Sequence, residues 1–131
     1  MRRSPEVSKV IMGTTHVTVT VRNPADPDKF WEGLFLVDTG AFDSLIPGSI
    51  LRQLGFIPKG KRKYELADGT ELEMDVTTGD LEFMGEISAD VIIFGPDGAE
   101  PILGVTALES AAVMVDPRTR ELKKLPASPL K

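Results

Sequence analysis

The run KRKYELADGTELEMDVTTGDLEFMGE, residues 61–86, alternates polar and apolar side chains on both sides of Asp68-Gly69. Alternation with a period of two gathers the apolar residues of a strand on one face. An Asp-Gly pair supplies the left-handed backbone that a tight turn needs. The run therefore predicts a long central hairpin, and a lone hairpin is not stable without further strands to cover its apolar face. Those strands are legible on either side. TTHVTVTV (14–21) puts Val17, Val19 and Val21 on one face and His16, Thr18 and Thr20 on the other. LFLVD (34–38), SLIP (44–47), ISADVIIF (87–94) and PILG (101–104) read as further short strands, and AVMVDPRTRELKKL (112–125) as a final hairpin with Asp116-Pro117 in a type I turn. RNPADPDKFWEG (22–33) and GPDGAEP (95–101) read as a loop and a turn.

Two short helices break the series. PGSILRQLGF (47–56) has Pro47 for a first turn, Ile50, Leu51 and Leu54 on one face, and Gly55 for the position past the end. VTALESA (105–111) carries Thr106 and Glu109 at capping-box spacing. The expected class is all-β with one or two short helices, arranged as a small closed or partly closed barrel. The 131 residues fit one domain, expected over 13–126 between a flexible tail at 1–12 and a short tail at 127–131.

Within this frame LFLVDTGAFDSLIP (34–47) stands out, because an apolar strand runs straight into Asp38. Gly40 permits a tight excursion that sets the carboxylate just past the strand. Thr39 offers a hydroxyl for a loop hydrogen bond. One carboxylate alone is a poor hydrolytic catalyst. Two held side by side do not both ionise cheaply, so they share a proton; one then serves as general base on a water and the other as general acid. The chain has a single Asp-Thr-Gly, so such chemistry requires the second carboxylate from a second chain. A two-fold homodimer provides it.

These segments resemble the retropepsin-like aspartic proteases, in their bacterial and archaeal single-domain form. FLVDTGA (35–41) is similar to their catalytic loop, ADGT (67–70) to the tip of their flap, and ILG (102–104) to the element that packs behind the loop. VMVDPRTRELKKL (113–125) is similar to the tail of bacterial and archaeal members. The resemblance implies a closed barrel with one lobe per chain and an aspartic endopeptidase acting as a homodimer on a peptide or protein substrate, with no cofactor and no metal. It implies catalytic roles for Asp38, Thr39 and Gly40. It implies substrate contacts for Ala41, Phe42, Asp43, Ala67, Asp68, Gly69 and Thr70, and loop support from Ile102, Leu103 and Gly104. Viral members carry an acid directly after the loop alanine; here Phe42 stands there and the acid follows at Asp43.

Other readings remain beside these. Asp38 could merely end a strand, and Asp43 could be an Asx-turn residue. The acids Glu65, Asp68, Glu71, Glu73 and Asp75 lack the spacing of a calcium loop and read as a solvated hairpin face. KGKRK (59–63) reads as a solvated basic turn, and His16, the single histidine, as a solvated strand residue. A catalytically weak module that binds an extended peptide or only assembles would share the fold. An unrelated ligand-binding barrel is the third possibility. Fifteen Lys and Arg against 20 Asp and Glu give a net charge of -5, which argues against nucleic acid or an anionic membrane as partner. The absence of cysteine excludes thiol chemistry and disulfides. Without a transmembrane-length apolar run or a secretory leader, the expected location is the cytoplasm.

Overall fold

The computed structural model describes residues 8–11, 13–127 and 130. The tail expected over 1–12 lies mostly outside them, but Lys9–Ile11 forms a strand, β1, paired with β2 (Thr14–Arg22). Most of the C-terminal tail also lies outside. The remaining elements are β3 (Phe30–Val37), β4 (Ser44–Pro47), α1 (Gly48–Gln53), β5 (Gly60–Glu65), β6 (Glu71–Phe83), β7 (Glu86–Gly95), β8 (Ile102–Leu103), α2 (Val105–Ser110), β9 (Val113–Val115) and β10 (Leu122–Lys124). No helix among the described residues is long and apolar enough to cross a membrane.

One eight-stranded sheet runs in the order β1-β2-β3-β8-β4-β7-β6-β5. β2 also pairs with β6, through Thr20–Arg22 against Asp80–Glu82. The strands β2, β3, β8, β4, β7 and β6 thus form a hydrogen-bonded circuit, with β1 and β5 hanging outside it. The cause lies in the alternation. Thr15, Val17, Val19 and Val21 point inward, and the three valines are fully buried. Phe35 faces Val17 across the β2–β3 ladder and is fully buried as well. Each buried aliphatic or aromatic side chain is worth roughly 1.5–3 kcal/mol of transfer free energy. Leu81 and Phe83 from β6, Ile92 from β7, Ile46 from β4 and Leu51 from α1 complete the same core.

Several local expectations are corrected. β3 begins at Phe30, inside the segment expected to be loop, because Phe30–Gly33 continues the ladder with β2. Asn23 closes the shortened loop: its side chain accepts from Ala25 N–H and donates to Leu54 O. Pro47 ends β4 and caps α1 rather than lying in its first turn. The capping box at Thr106 and Glu109 is not formed; Gly104 caps α2, and the Thr106 hydroxyl donates elsewhere. The last hairpin turns more widely than a type I turn. Arg120 N–H donates to Asp116 O, four residues back, and the Asp116 carboxylate accepts from Arg118 N–H. Lys123, 2.7 Å away, holds that carboxyl down at about 2, with the Arg118 hydrogen bond helping.

Candidate active site

Asp38 follows β3 directly and is half-buried. Two backbone features hold it. Its N–H donates to Leu103 O at 3.0 Å, and its O accepts from Ala41 N–H at 3.1 Å. The carboxylate itself closes the loop, with Oδ1 accepting from Gly40 N–H at 2.9 Å. Thr39 and Gly40 are exposed beside it.

β8 lies between the two strands that enter and leave this loop. Leu36 and Val37 pair in parallel with Ile102 and Leu103, while Leu45 of β4 pairs with Ile102 from the other side. Gly104 then passes so close to the loop that a Cβ there would sit 2.6 Å from the carbonyl of Asp43. Only glycine fits that approach. The first amides of α2, which have no partner within the helix, donate to the loop: Val105 N–H to Ala41 O at 2.9 Å and Thr106 N–H to Phe42 O at 3.2 Å. The Thr106 hydroxyl also donates to Phe42 O, and Gly104 N–H donates to Ser44 Oγ. This docking explains the missing capping box, because the loop carbonyls occupy the place of a side-chain cap.

A cavity of about 460 Å³ opens beside the loop. Gly40, Ala41, Phe42 and Asp43 form one wall; Leu45 and Ile93 lie in the floor; and Arg62, Tyr64, Leu66, Leu72 and Met74 come from the β5–β6 hairpin. Ala67, Asp68, Gly69 and Thr70 do not line it. They form the exposed hairpin tip, where Leu66 N–H donates to Thr70 O, and Gly69 takes φ +88° with open space around its Cα. The structure thus brings residues 40–43 against the inner side of the hairpin and leaves 67–70 standing off.

Asp43 is not an Asx-turn residue. Its side chain is 3% exposed, and Oδ2 accepts from Arg62 Nη1 at 2.8 Å and from Tyr64 Oη at 2.7 Å. Burial, and next the hydrogen bond to Asp43, push the Tyr64 hydroxyl well above its ordinary value. Residues 60–63 are strand rather than turn, though all four stay exposed, with Arg62 lining the cavity. Arg62 and Tyr64 were missed as site residues, although their spacing of two places both on one face. His16 is also corrected: its side chain is 12% exposed and its Nε2 lies 3.2 Å from Glu100 Oε2. Leu36, opposite His16, bonds to Pro101 O and so draws Glu100 alongside. Glu65, Asp68, Glu71 and Glu73 are exposed, and Asp75 pairs with Lys61. Among the described residues no group of three or more His, Asp or Glu converges as a metal site.

No protein-family model matches the chain, and no curated protein sequence does. Solved structures do. A retropepsin-like aspartic protease from Rickettsia conorii superposes with a TM-score of 0.63 at 22% identity, covering 89% of this chain and 86% of that one. This chain has the retropepsin-like fold. The simian foamy virus protease matches it with a TM-score of 0.52 at 14% identity, over 72% of this chain and 91% of its own. The foamy viral protease-reverse transcriptase matches at 0.50 and 17% identity, over 70% of this chain and 11% of that longer one.

Proposed function

We propose that the protein is an aspartic endopeptidase that works as a homodimer, each chain giving Asp38 to a shared dyad. The observation that carries this reading is the setting of Asp38. A half-exposed carboxylate is held at a strand end, with the Asp38 N–H on Leu103 O and its Oδ1 on Gly40 N–H, and the residues that follow it, Gly40 to Asp43, line an apolar cavity under a hairpin. One such loop per chain is half a site, and exposed Thr39 and Gly40 leave room for the partner's loop.

In the dimer the ionised carboxylate takes a proton from water as the water oxygen attacks the peptide carbonyl carbon. The protonated carboxyl gives its proton to the carbonyl oxygen. The tetrahedral intermediate collapses as the carboxyl that took the water proton gives it to the leaving nitrogen, the C–N bond breaks, and the other carboxylate takes a proton back from a hydroxyl of the intermediate, which restores the one shared proton. The hairpin serves as the flap, with Ala67, Asp68, Gly69 and Thr70 closing over the peptide and Ala41, Phe42 and Asp43 beside it. The activity is expected on the acid side of neutral, with a bell-shaped profile, since it needs one proton on the pair.

The test is a peptide-library digest at mildly acidic pH with wild type and Asp38→Asn, with dimerisation followed by sedimentation. Asn keeps the shape but cannot share the proton. The expected loss is about 100- to 10,000-fold in rate, with the dimer intact. A wild type that is dimeric yet cleaves nothing across the library would leave the peptide-binding module as the reading.

A further inference from the structure

β5 is an end strand. Among the described residues it pairs only with β6, and every one of its residues except Tyr64 is exposed. A segment with so little buried surface has little to fix its position. Against this, Asp43 in the cavity wall is 4% exposed as a residue and is reached by two donors from β5, Arg62 Nη1 and Tyr64 Oη, at 2.8 and 2.7 Å. A buried carboxylate is tolerated only when it is paired and hydrogen-bonded. The pairing here crosses from the loop that carries Asp38 to the hairpin that overhangs the cavity.

We propose that Asp43, Arg62 and Tyr64 form a latch that positions the hairpin over the substrate cleft. With the latch made, Leu66, Leu72 and Met74 are held facing Leu45 and Ile93 across the cavity. With it broken, the β5 side is retained only by its ladder to β6. Arg62 and Tyr64 act on the peptide only through the hairpin they hold, so they are positioning residues; Asp43, set beside the peptide in the proposed complex, is their anchor. The kinetic part of this inference rests on the peptidase reading; the structural part does not.

The test is amide hydrogen exchange on the full chain without substrate, comparing wild type with Tyr64→Phe, Arg62→Gln and Asp43→Asn. Tyr64→Phe removes one hydroxyl, leaves the Arg62 pair in place and keeps the fold. Exchange over residues 60–75 should rise about tenfold, the equivalent of one hydrogen bond to a charged group. Amides of β2 and β3 should be unchanged. In peptide cleavage Tyr64→Phe and Arg62→Gln should raise KM by about the same factor, with a smaller effect on kcat. A chiefly structural role would speed exchange throughout the molecule and leave KM alone. Wild-type exchange over 60–75 in all three variants overturns the latch, whether or not the wild type is a peptidase. Inactive wild-type protein counts against the peptidase reading, and the exchange result still decides the latch.

Discussion

Asp90 and Gly104 are single positions whose surroundings decide what they tolerate. Asp90, on β7, is 8% exposed, and Ser88 Oγ donates to it. Burial, the largest influence, raises its carboxyl above the ordinary 3.8; Ser88 opposes this and Asp43 adds to it. A carboxyl raised on folding leaves the folded state holding more protons than the unfolded one. Stability therefore falls as pH rises upward from about 3.8, where the unfolded group ionises. Asp90→Asn cannot ionise, so it should be more stable than wild type at pH 7, and the difference should shrink toward pH 3 in thermal melts. Gly104 has a steric constraint instead. Gly104→Ala would place a Cβ 2.6 Å from the Asp43 backbone, and overpacking of this kind costs about 1–3 kcal/mol. Denaturant titration should show that loss, and cleavage should fall with it because residues 41–43 are displaced. The glycine at 104 was legible as part of Ile-Leu-Gly, but the atom it makes room for was not, since Asp43 is 61 positions away in the chain.

At the scale of elements, the parts that obey a local rule were readable in advance. The β2 valines, the β5–β6 hairpin around Asp68-Gly69 and the short helix through Leu51 each follow from a period or a turn residue within a few positions. The parts that failed depend on a distant partner. Phe30–Gly33 is strand because β2 offers a ladder. Thr106 leaves its expected cap because Phe42 O lies in front of α2. Arg62 is drawn to Asp43, and His16 is covered beside Glu100. The β6–β7 connection is a local two-residue turn, Met84-Gly85, in which both residues take positive φ, +55° and +75°. For the hairpin tip, the conformation at Gly69 makes a specific prediction. Gly69→Val puts a β-branched residue at φ +88° where nothing else is in contact. Turnover should slow while the melting of the rest of the molecule changes little. Unchanged turnover would mean that the tip does not close on substrate.

At the scale of the whole molecule, the circuit of six strands explains why a short chain can present a fixed carboxylate at its surface. β3, β8 and β4 meet under the Asp38 loop, and α2 docks on it from behind. That arrangement holds one carboxylate, whereas the proposed chemistry needs two. A shared dyad therefore makes a quantitative claim about mixtures. Wild-type chains mixed with an equal amount of Asp38→Asn chains, and allowed to exchange partners, should form mixed dimers that hold one ionisable Asp each. Random pairing leaves about one quarter of the dimers with both carboxylates. The measurement is the peptide-cleavage rate of that mixture against the same total concentration of wild-type chains at mildly acidic pH. A dyad shared between two chains should give about one quarter of the wild-type rate. A rate of about one half would mean that each chain acts alone, and would contradict a dyad built from two copies of Asp38.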